Sequence, residues 1–171
     1  ADPAGETPEM LPDPVPLAET WAAMEELVKA GLVKEIGVCN YNTGLLHDLM
    51  AYSTIKPAML QIESHPYLTQ ERLLRVAAQY DIAVTAFSPL GALSYVELEM
   101  ADTGESVLEQ LPVQEAAKRL NRTAAQVVLR WGVQRGAAVI PKTSQVGRLK
   151  ENLALFDFSL NDEEMRAISA L

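Results

Sequence analysis

The sequence has 171 residues, 49% of them hydrophobic, and a formal net charge of −9. That length and apolar content predict one folded domain with a sizeable core and exclude a disordered chain. The acidic balance repels phosphate backbones, so we expect no nucleic-acid partner.

Cysteine and histidine are scarce, which limits the chemistry of the chain. Cys39 is the single cysteine, and His47 and His65 are the only histidines. We therefore expect no disulfide framework and no metal site. No apolar run reaches the roughly 20 residues of a membrane span, and the N-terminus lacks a signal-peptide pattern. These features predict no membrane partner and a reducing, cytoplasmic location.

The chain divides into an irregular start and a periodic remainder. Residues 1–16 are predicted to be a Pro-rich loop, because the prolines there oppose both helix and strand. Residues 17–171 are predicted to be the folded unit. Its first helix follows from apolar residues at helical spacing from Leu17 onwards, and we expect that helix to end near Gly31.

Four short apolar runs follow, and each is succeeded by helical spacing. The predicted strands are 36–39, 59–63, 83–87 and 137–140. The predicted helices are 43–52, 70–80, 112–120, 123–134, 146–155 and 161–169. This alternation is typical of parallel βα units. Because an eight-stranded barrel needs about 250 residues, four units predict half a barrel or a small open α/β sheet.

Polar residues follow each predicted strand at its carboxyl end. They are Asn40, then Ser64 with His65, then Ser88, then the segment 142–144. In a barrel these strand ends form one face, where sites are built. Parallel strands of any sheet also end in polar residues where they meet loops, so the pattern alone leaves both interpretations open.

The segment from Lys142 to Arg148 lies between the last predicted strand and a helix. Unpaired N–H groups at a helix start attract anions. Thr143 and Ser144 add hydroxyl donors, and Lys142 and Arg148 add two positive charges. This pattern indicates a phosphate site or, equally, an ordinary capped helix with solvated cations. The sequence has no Gly-rich dinucleotide fingerprint, which disfavours a Rossmann domain.

Three other side chains admit two interpretations each. Phe87 ends a strand and would either stack on a flat ring or belong to the core. Gln61, polar in an apolar strand, would bond to a ligand amide or to a neighbouring strand. His65 precedes Pro66 and fits a structural histidine bonded to backbone better than a general acid.

Four motifs stand in order along the chain: IGVCNYN at 36–42, QIESHPYL at 61–68, FSPLG at 87–91 and IPKT at 140–143. In this order and spacing they resemble the aldo-keto reductase family. The segment 93–98 is similar to the xylose reductase branch, and the resemblance covers residues 15–171. It implies a (β/α)8 barrel, of which this chain supplies the C-terminal half, about four βα units. It also implies reduction of aldehydes or ketones, aldose sugars such as xylose included, with NADP(H).

The resemblance implies a nicotinamide site at the ends of the first three strands. Asn40 and Gln61 would hold the nicotinamide carboxamide. Cys39 stands where the family usually has serine, which would weaken one hydrogen bond to that group. Phe87 would stack on the nicotinamide ring, in a place where the family often has tyrosine.

A second set of residues is implied for the adenosine side. Ser88 and Leu90 would contact the pyrophosphate, and Glu97 would hydrogen-bond the adenosine ribose, which would allow NAD(H) as well as NADP(H). The 2′-phosphate would be gripped by four residues, Lys142, Thr143, Ser144 and Arg148. The adenine would be reached by Glu151 and Asn152.

The resemblance assigns no catalytic residue to this chain, because the family's catalytic Asp, Tyr, Lys and His belong to the first four strands, upstream of residue 1. The chain alone is therefore expected to be inactive, with the missing N-terminal half of the barrel as partner and a small-molecule carbonyl compound as substrate. In the intact enzyme, hydride would pass from the nicotinamide to the carbonyl carbon while the missing Tyr protonates the oxygen.

Two other functions remain open from the sequence. One is a non-catalytic nucleotide-binding module, like the regulatory channel subunits that share this fold. The other is a half-barrel that pairs with itself as a homodimer to close the barrel.

Overall fold

The computed structural model describes residues 14–91 and 106–171. Most of the predicted Pro-rich loop at 1–16, and the segment 93–98 with Glu97, lie outside these ranges. Among the residues that the structure describes, every helix is too short or too polar to span a lipid bilayer.

Four strands and seven α-helices occupy the described ranges, alternating as predicted. The strands are β1 (Gly37–Cys39), β2 (Met59–Glu63), β3 (Ala83–Phe87) and β4 (Ala137–Val139). The helices are α1 (Leu17–Lys29), α2 (Thr43–Tyr52), α3 (Glu71–Gln79), α4 (Leu111–Leu120), α5 (Ala124–Gln134), α6 (Val146–Leu153) and α7 (Asp162–Ser169). A short 3₁₀ turn, Val107–Glu109, precedes α4.

The four strands form one parallel sheet in the order β1-β2-β3-β4. Cys39 lies opposite Gln61, which lies opposite Thr85, which lies opposite Ala138. Because all strands run the same way, their carboxyl ends meet at one edge of the sheet. Within the described ranges, β1 and β4 each have one side without a neighbouring strand, as the predicted half-barrel requires.

The main core lies between this sheet and the helices. Leu60 and Ile62 of β2 are 0% and 2% exposed, and they pack with Leu46 of α2 and Leu73 of α3. Side chains alternate sides along a strand, so the residues between them, Gln61 among these, lie on the opposite face. Helices therefore cover one face of the sheet, and the other carries the polar strand residues.

A second core holds the C-terminal helices together. Trp131 of α5 is 1% exposed and packs with residues of α4 and α7, including Val113 and Ile168. Its indole N–H donates to the Ser169 hydroxyl at 2.9 Å. Thr123 caps α5 and accepts a hydrogen bond from the backbone N–H of Gln126.

Helix α1 is fixed to the turn before β2 by the carboxylate of Glu25. This carboxylate accepts hydrogen bonds from the backbone N–H groups of Thr54 at 2.8 Å and Ile55 at 2.9 Å, and another from the Thr54 hydroxyl. The Trp21 indole donates to the carbonyl of Ile55 at 3.1 Å. The hydroxyl of Thr54 is the largest cause that lowers the pKa of Glu25 below its ordinary value of 4.5, because hydrogen bonds to a carboxylate favour its charged form.

The lowered pKa of Glu25 predicts a specific acid sensitivity. The unfolded state takes up the proton more readily, so this contribution to stability is present above pH 4.5 and is lost as the pH falls through the folded pKa. We expect Glu25→Gln to destabilise the fold near neutral pH and to flatten the loss of stability below pH 4.5. Urea unfolding midpoints over a pH series measure both effects. The neighbouring Glu26→Gln, at an exposed residue paired with Lys29, should keep the acid profile of the unaltered chain, and an equal flattening there would contradict the assignment.

The pairing of β1 with β2 requires glycine at position 37. A Cβ atom there would lie 2.6 Å from the backbone carbonyl oxygen of Met59, closer than any relaxed contact. We expect Gly37→Ala to lower the free energy of unfolding by about 1–3 kcal/mol. Gly147 in α6 has open space around its Cα, so Gly147→Ala should be neutral or stabilising by up to about 1 kcal/mol. Equal effects in denaturant titrations of both variants would contradict this account.

Candidate functional site

The carboxyl edge of the sheet gathers most of the residues that the sequence singled out. Asn40 follows β1, Phe87 ends β3, and Lys142 follows β4 after two intervening residues. Neighbouring strands lie about 4.8 Å apart, so three steps separate β1 from β4 by about 14 Å. The structure therefore arranges these residues along one edge, from Asn40 at one end to α6 at the other.

The backbone turns sharply where β1 ends. Asn40 has a φ of 59°, in the left-handed region that few residues other than glycine, asparagine and aspartate adopt. Its N–H donates to the carbonyl of Gln61 at 2.9 Å, which continues the sheet by one bond. Neither the Asn40 side chain nor that of Gln61 has a hydrogen-bond partner among the described residues. Both amides thus remain available to a ligand at this edge, and Gln61 does not satisfy a neighbouring described strand.

Cys39 and Gln61 are opposite each other in the parallel register. Both lie on the sheet face turned away from the main core, with Cys39 exposed as a free thiol and Gln61 half-buried. A thiol is a weaker hydrogen-bond donor and acceptor than the serine hydroxyl it would replace. Gln61 therefore offers a strong hydrogen-bonding group, and Cys39 beside it offers a weak one.

Phe87 is half-buried at the end of β3, opposite Glu63 of β2. Ser88 follows with a φ of 47°, and its carbonyl accepts from the N–H of Gly91 at 3.0 Å, which closes a turn. A serine in the left-handed region is uncommon, and such backbone often occurs at binding sites. The side chain of Leu90 is half-buried and packs against the second core.

The predicted phosphate site lies at the start of α6. Gln145 precedes the helix without capping it by a side chain, and the first turn holds no acidic residue. The first N–H groups of α6 and the positive end of its helix dipole therefore lie beside the loop that connects β4 to α6. Lys142 and Arg148 are exposed, and neither has a carboxylate partner within the described ranges. Two unpaired cations and an uncapped helix start thus converge there.

The other predicted residues on this side are placed beside the same helix. The Thr143 hydroxyl oxygen accepts from the N–H of Gln145 at 3.1 Å and keeps its hydrogen free to donate. Ser144 is exposed in the loop, while Glu151 and Asn152 lie in the last turn of α6. Glu97 lies outside the described residues, so its predicted ribose contact stays a prediction.

The predicted hydrogen bond from the ring of His65 to the backbone is wrong. The ring of His65 is bonded through Nε2 to the Glu63 carboxylate at 3.2 Å rather than to backbone, while its backbone N–H and carbonyl pair with Leu68. His65 is 8% exposed, in keeping with a structural role. The ring is thus bonded to a carboxylate two residues earlier in the chain, which the sequence prediction did not include.

The structure raises the pKa of both half-buried tyrosines near β1, Tyr41 and Tyr52. Burial is the largest cause that raises the pKa of Tyr41 and of Tyr52, since a phenolate is poorly solvated away from water. The negative charge of Asp48 adds to both shifts. Both side chains pack on the helix side of β1, away from the polar face of the sheet.

The sequence matches the Aldo/keto reductase family over residues 2–171. It is 48% identical over 157 residues to a probable NAD(P)H-dependent D-xylose reductase from Emericella nidulans, covering 91% of this chain and 49% of that protein. It is 46% identical over 157 residues to an NAD(P)H-dependent D-xylose reductase from Aspergillus niger, with the same two coverages, 91% and 49%. The chain thus spans about half the length of the curated relatives it matches.

Solved structures agree with these relatives. The chain superposes on an aldose reductase from Schistosoma japonicum with a TM-score of 0.82 and 38% identity, covering 92% of this chain and 48% of that one. It superposes on an aldo/keto reductase from Brucella melitensis with a TM-score of 0.79 and 36% identity, covering 94% and 57%. These similarities confirm the resemblance and the predicted fold, a partial (β/α)8 barrel with four parallel strands.

The left-handed backbone at Asn40 predicts a difference between two small substitutions. Glycine adopts that φ without strain, whereas alanine pays about 1 kcal/mol. We expect Asn40→Ala to unfold at a lower urea concentration than Asn40→Gly, although alanine is the better residue in ordinary backbone. A reversed order of the two midpoints would show that the turn does not hold its left-handed geometry in solution.

Proposed function

The chain belongs to the aldo/keto reductase family, and we propose that it supplies the cofactor-binding half of an NAD(P)H-dependent carbonyl reductase. The observation that carries the proposal is the pair of unpaired cations, Lys142 and Arg148, at the uncapped start of α6. In a chain with a net charge of −9, such a local positive site favours a specific anion over general attraction.

The phosphate end suits the 2′-phosphate of NADP(H). Arg148 offers a planar fork of donors that matches phosphate oxygens, and Lys142 adds a point charge. Thr143 and Ser144 contribute hydroxyl donors from the loop before α6. Glu151 and Asn152, one to two helical turns further along, are proposed to contact the adenine. NAD(H), which lacks the 2′-phosphate, would lose these contacts and bind more weakly.

The nicotinamide end is proposed to lie at β1 and β2. The free amides of Asn40 and Gln61 complement a carboxamide, which both donates and accepts hydrogen bonds. The half-buried ring of Phe87 at the next strand end can stack on a flat heterocycle. The Ser88 turn, which follows β3 between these two ends, is proposed to contact the pyrophosphate. A bound nicotinamide cofactor would supply the hydride chemistry, while these residues bind and orient it.

The substrate class is proposed from the relatives' names and the proposed cofactor. A small carbonyl compound, an aldehyde or ketone with aldoses such as xylose among them, would be reduced to its alcohol. The catalytic acid is proposed to come from the remaining half of the barrel, which would also close the sheet beside β1 and β4. The chain alone is then expected to bind cofactor without turnover.

Calorimetry on the purified chain tests the phosphate end. We expect NADP+ to bind more tightly than NAD+, and Arg148→Gln to raise the Kd for NADP+ at least about tenfold, the value of one charge-assisted hydrogen bond. The Kd for NAD+ should change little. Arg166→Gln is the matched control, because Arg166 is exposed in the last turn of α7 and remote in sequence from the site.

Two results would contradict the proposal. One is equal affinity of the unaltered chain for NADP+ and NAD+, which would remove the role of the 2′-phosphate. The other is an equal loss of NADP+ binding in Arg148→Gln and Arg166→Gln, which would show that the charge acts only through the overall field.

A further inference from the structure

Helix α6 is held in an unusual way for a helix that carries binding residues. None of its side chains from Val146 to Leu153 is buried, and Val146 and Leu153 are 69% and 76% exposed. Helices are ordinarily fixed by burying an apolar face. Within the described ranges, α6 is therefore held by the buried Leu155 just after its last residue and by polar links to its neighbours.

One of these links is the side chain of Gln126, in the first turn of α5. Its amide nitrogen donates to the carbonyl of Glu151 at 3.2 Å and to the carbonyl of Ala154 at 3.0 Å. These carbonyls lie at the C-terminal end of α6, where the regular helical donors run out, although the Glu151 carbonyl also accepts from the N–H of Ala154 at 3.1 Å. Gln126 is thus a cap on α6 that comes from another helix.

The same side chain is locked at its other end. The Gln126 side-chain oxygen accepts from the backbone N–H of Thr123 at 3.1 Å, and the backbone N–H of Gln126 donates to the Thr123 hydroxyl at 3.2 Å. The residue is 5% exposed, and α5 itself is anchored in the second core. A buried amide with every group bonded has one orientation, so it transmits the position of α5 to α6.

The other polar link near this end is weaker. The Arg122 guanidinium pairs with the Asp157 carboxylate at 2.6 Å and lies over the Phe158 ring. Asp157 follows α6 in the chain and is exposed. Exposed ion pairs contribute little to stability, so Gln126 is the stronger of these two polar links.

We propose that Gln126 is a positioning residue for the adenosine end of the cofactor site. Through two carbonyls at the end of α6, it sets where Arg148, Glu151 and Asn152 lie relative to the loop 142–144. The inference rests on the proposed function. It concerns a residue that acts through α6, and the sequence interpretation did not consider it.

The variant Gln126→Glu separates the two roles of the side chain. A glutamate keeps the oxygen that caps α5, since glutamate is a favoured partner in a capping box. It loses the donor to α6 and faces two carbonyl oxygens with a negative charge instead. Gln126→Met keeps the volume of the side chain and loses both the oxygen that caps α5 and the donor to α6. If packing alone mattered, the Met variant would bind cofactor like the unaltered chain.

A matched control stands at the other end of the same helix. Gln134 donates to the carbonyl of Leu160 at 3.0 Å and accepts from its N–H at 2.7 Å. Gln134→Glu therefore removes the same kind of donor from α5, but it loosens the segment before α7 and leaves α6 untouched.

The readout is the Kd for two halves of the cofactor, adenosine 2′,5′-bisphosphate and nicotinamide mononucleotide, on the folded chain. We expect Gln126→Glu and Gln126→Met to raise the first Kd about tenfold, the value of one to two hydrogen bonds, and to leave the second unchanged. Gln134→Glu should change neither. Hydrogen exchange should quicken at residues 146–154 in both Gln126 variants and stay unchanged in α5, which excludes general unfolding as the cause.

The outcomes separate this inference from the proposed function. If the unaltered chain binds the bisphosphate and both Gln126 variants bind it equally well, the positioning role is wrong and the proposed function stands. If both Kd values rise together, or Gln134→Glu matches Gln126→Glu, the effect is general and the positioning role is also wrong. If the unaltered chain binds neither half, the proposed function falls and this inference falls with it.

Discussion

The parallel register of β1 to β4 is the constraint on which the rest of the structure depends. It brings four carboxyl ends to one edge, while the alternation of side chains sends Leu60 and Ile62 to the helices and Gln61 to the other face. A slip of one residue would reverse these faces. The amides of Asn40 and Gln61 and the loop 142–144 can therefore share one edge only while the helix side remains packed.

The fold was largely predictable because its signals are local. The predicted strands 59–63 and 83–87 match β2 and β3 to the residue. The strands near 36 and 137 are shorter than predicted, since Ile36 and Ile140 fall just outside the ladder. Both residues are apolar, and hydrophobic periodicity alone does not show whether such a residue belongs to a strand or lies next to it.

The sequence predicted the candidate site as a set of residues but not its geometry. The motif order identified Asn40, Gln61 and Lys142, and the structure brings them to one edge. It could not show that Leu90 turns its side chain into the second core, nor that Gln126 reaches residues 25 and 28 positions away. Such links depend on how α5 and α6 pack, which local pattern does not encode.

The central claim is that one dinucleotide lies along this edge, with its phosphate at α6 and its nicotinamide at β1 and β2. Backbone NMR of the isotopically labelled chain, titrated with NADP+ and then with adenosine 2′,5′-bisphosphate, tests it most directly. The account predicts that NADP+ shifts amide signals at both ends, near Asn40 and near Arg148, and that the bisphosphate shifts only those near α6. Shifts confined to the helix layer, or none at saturating NADP+, would contradict it.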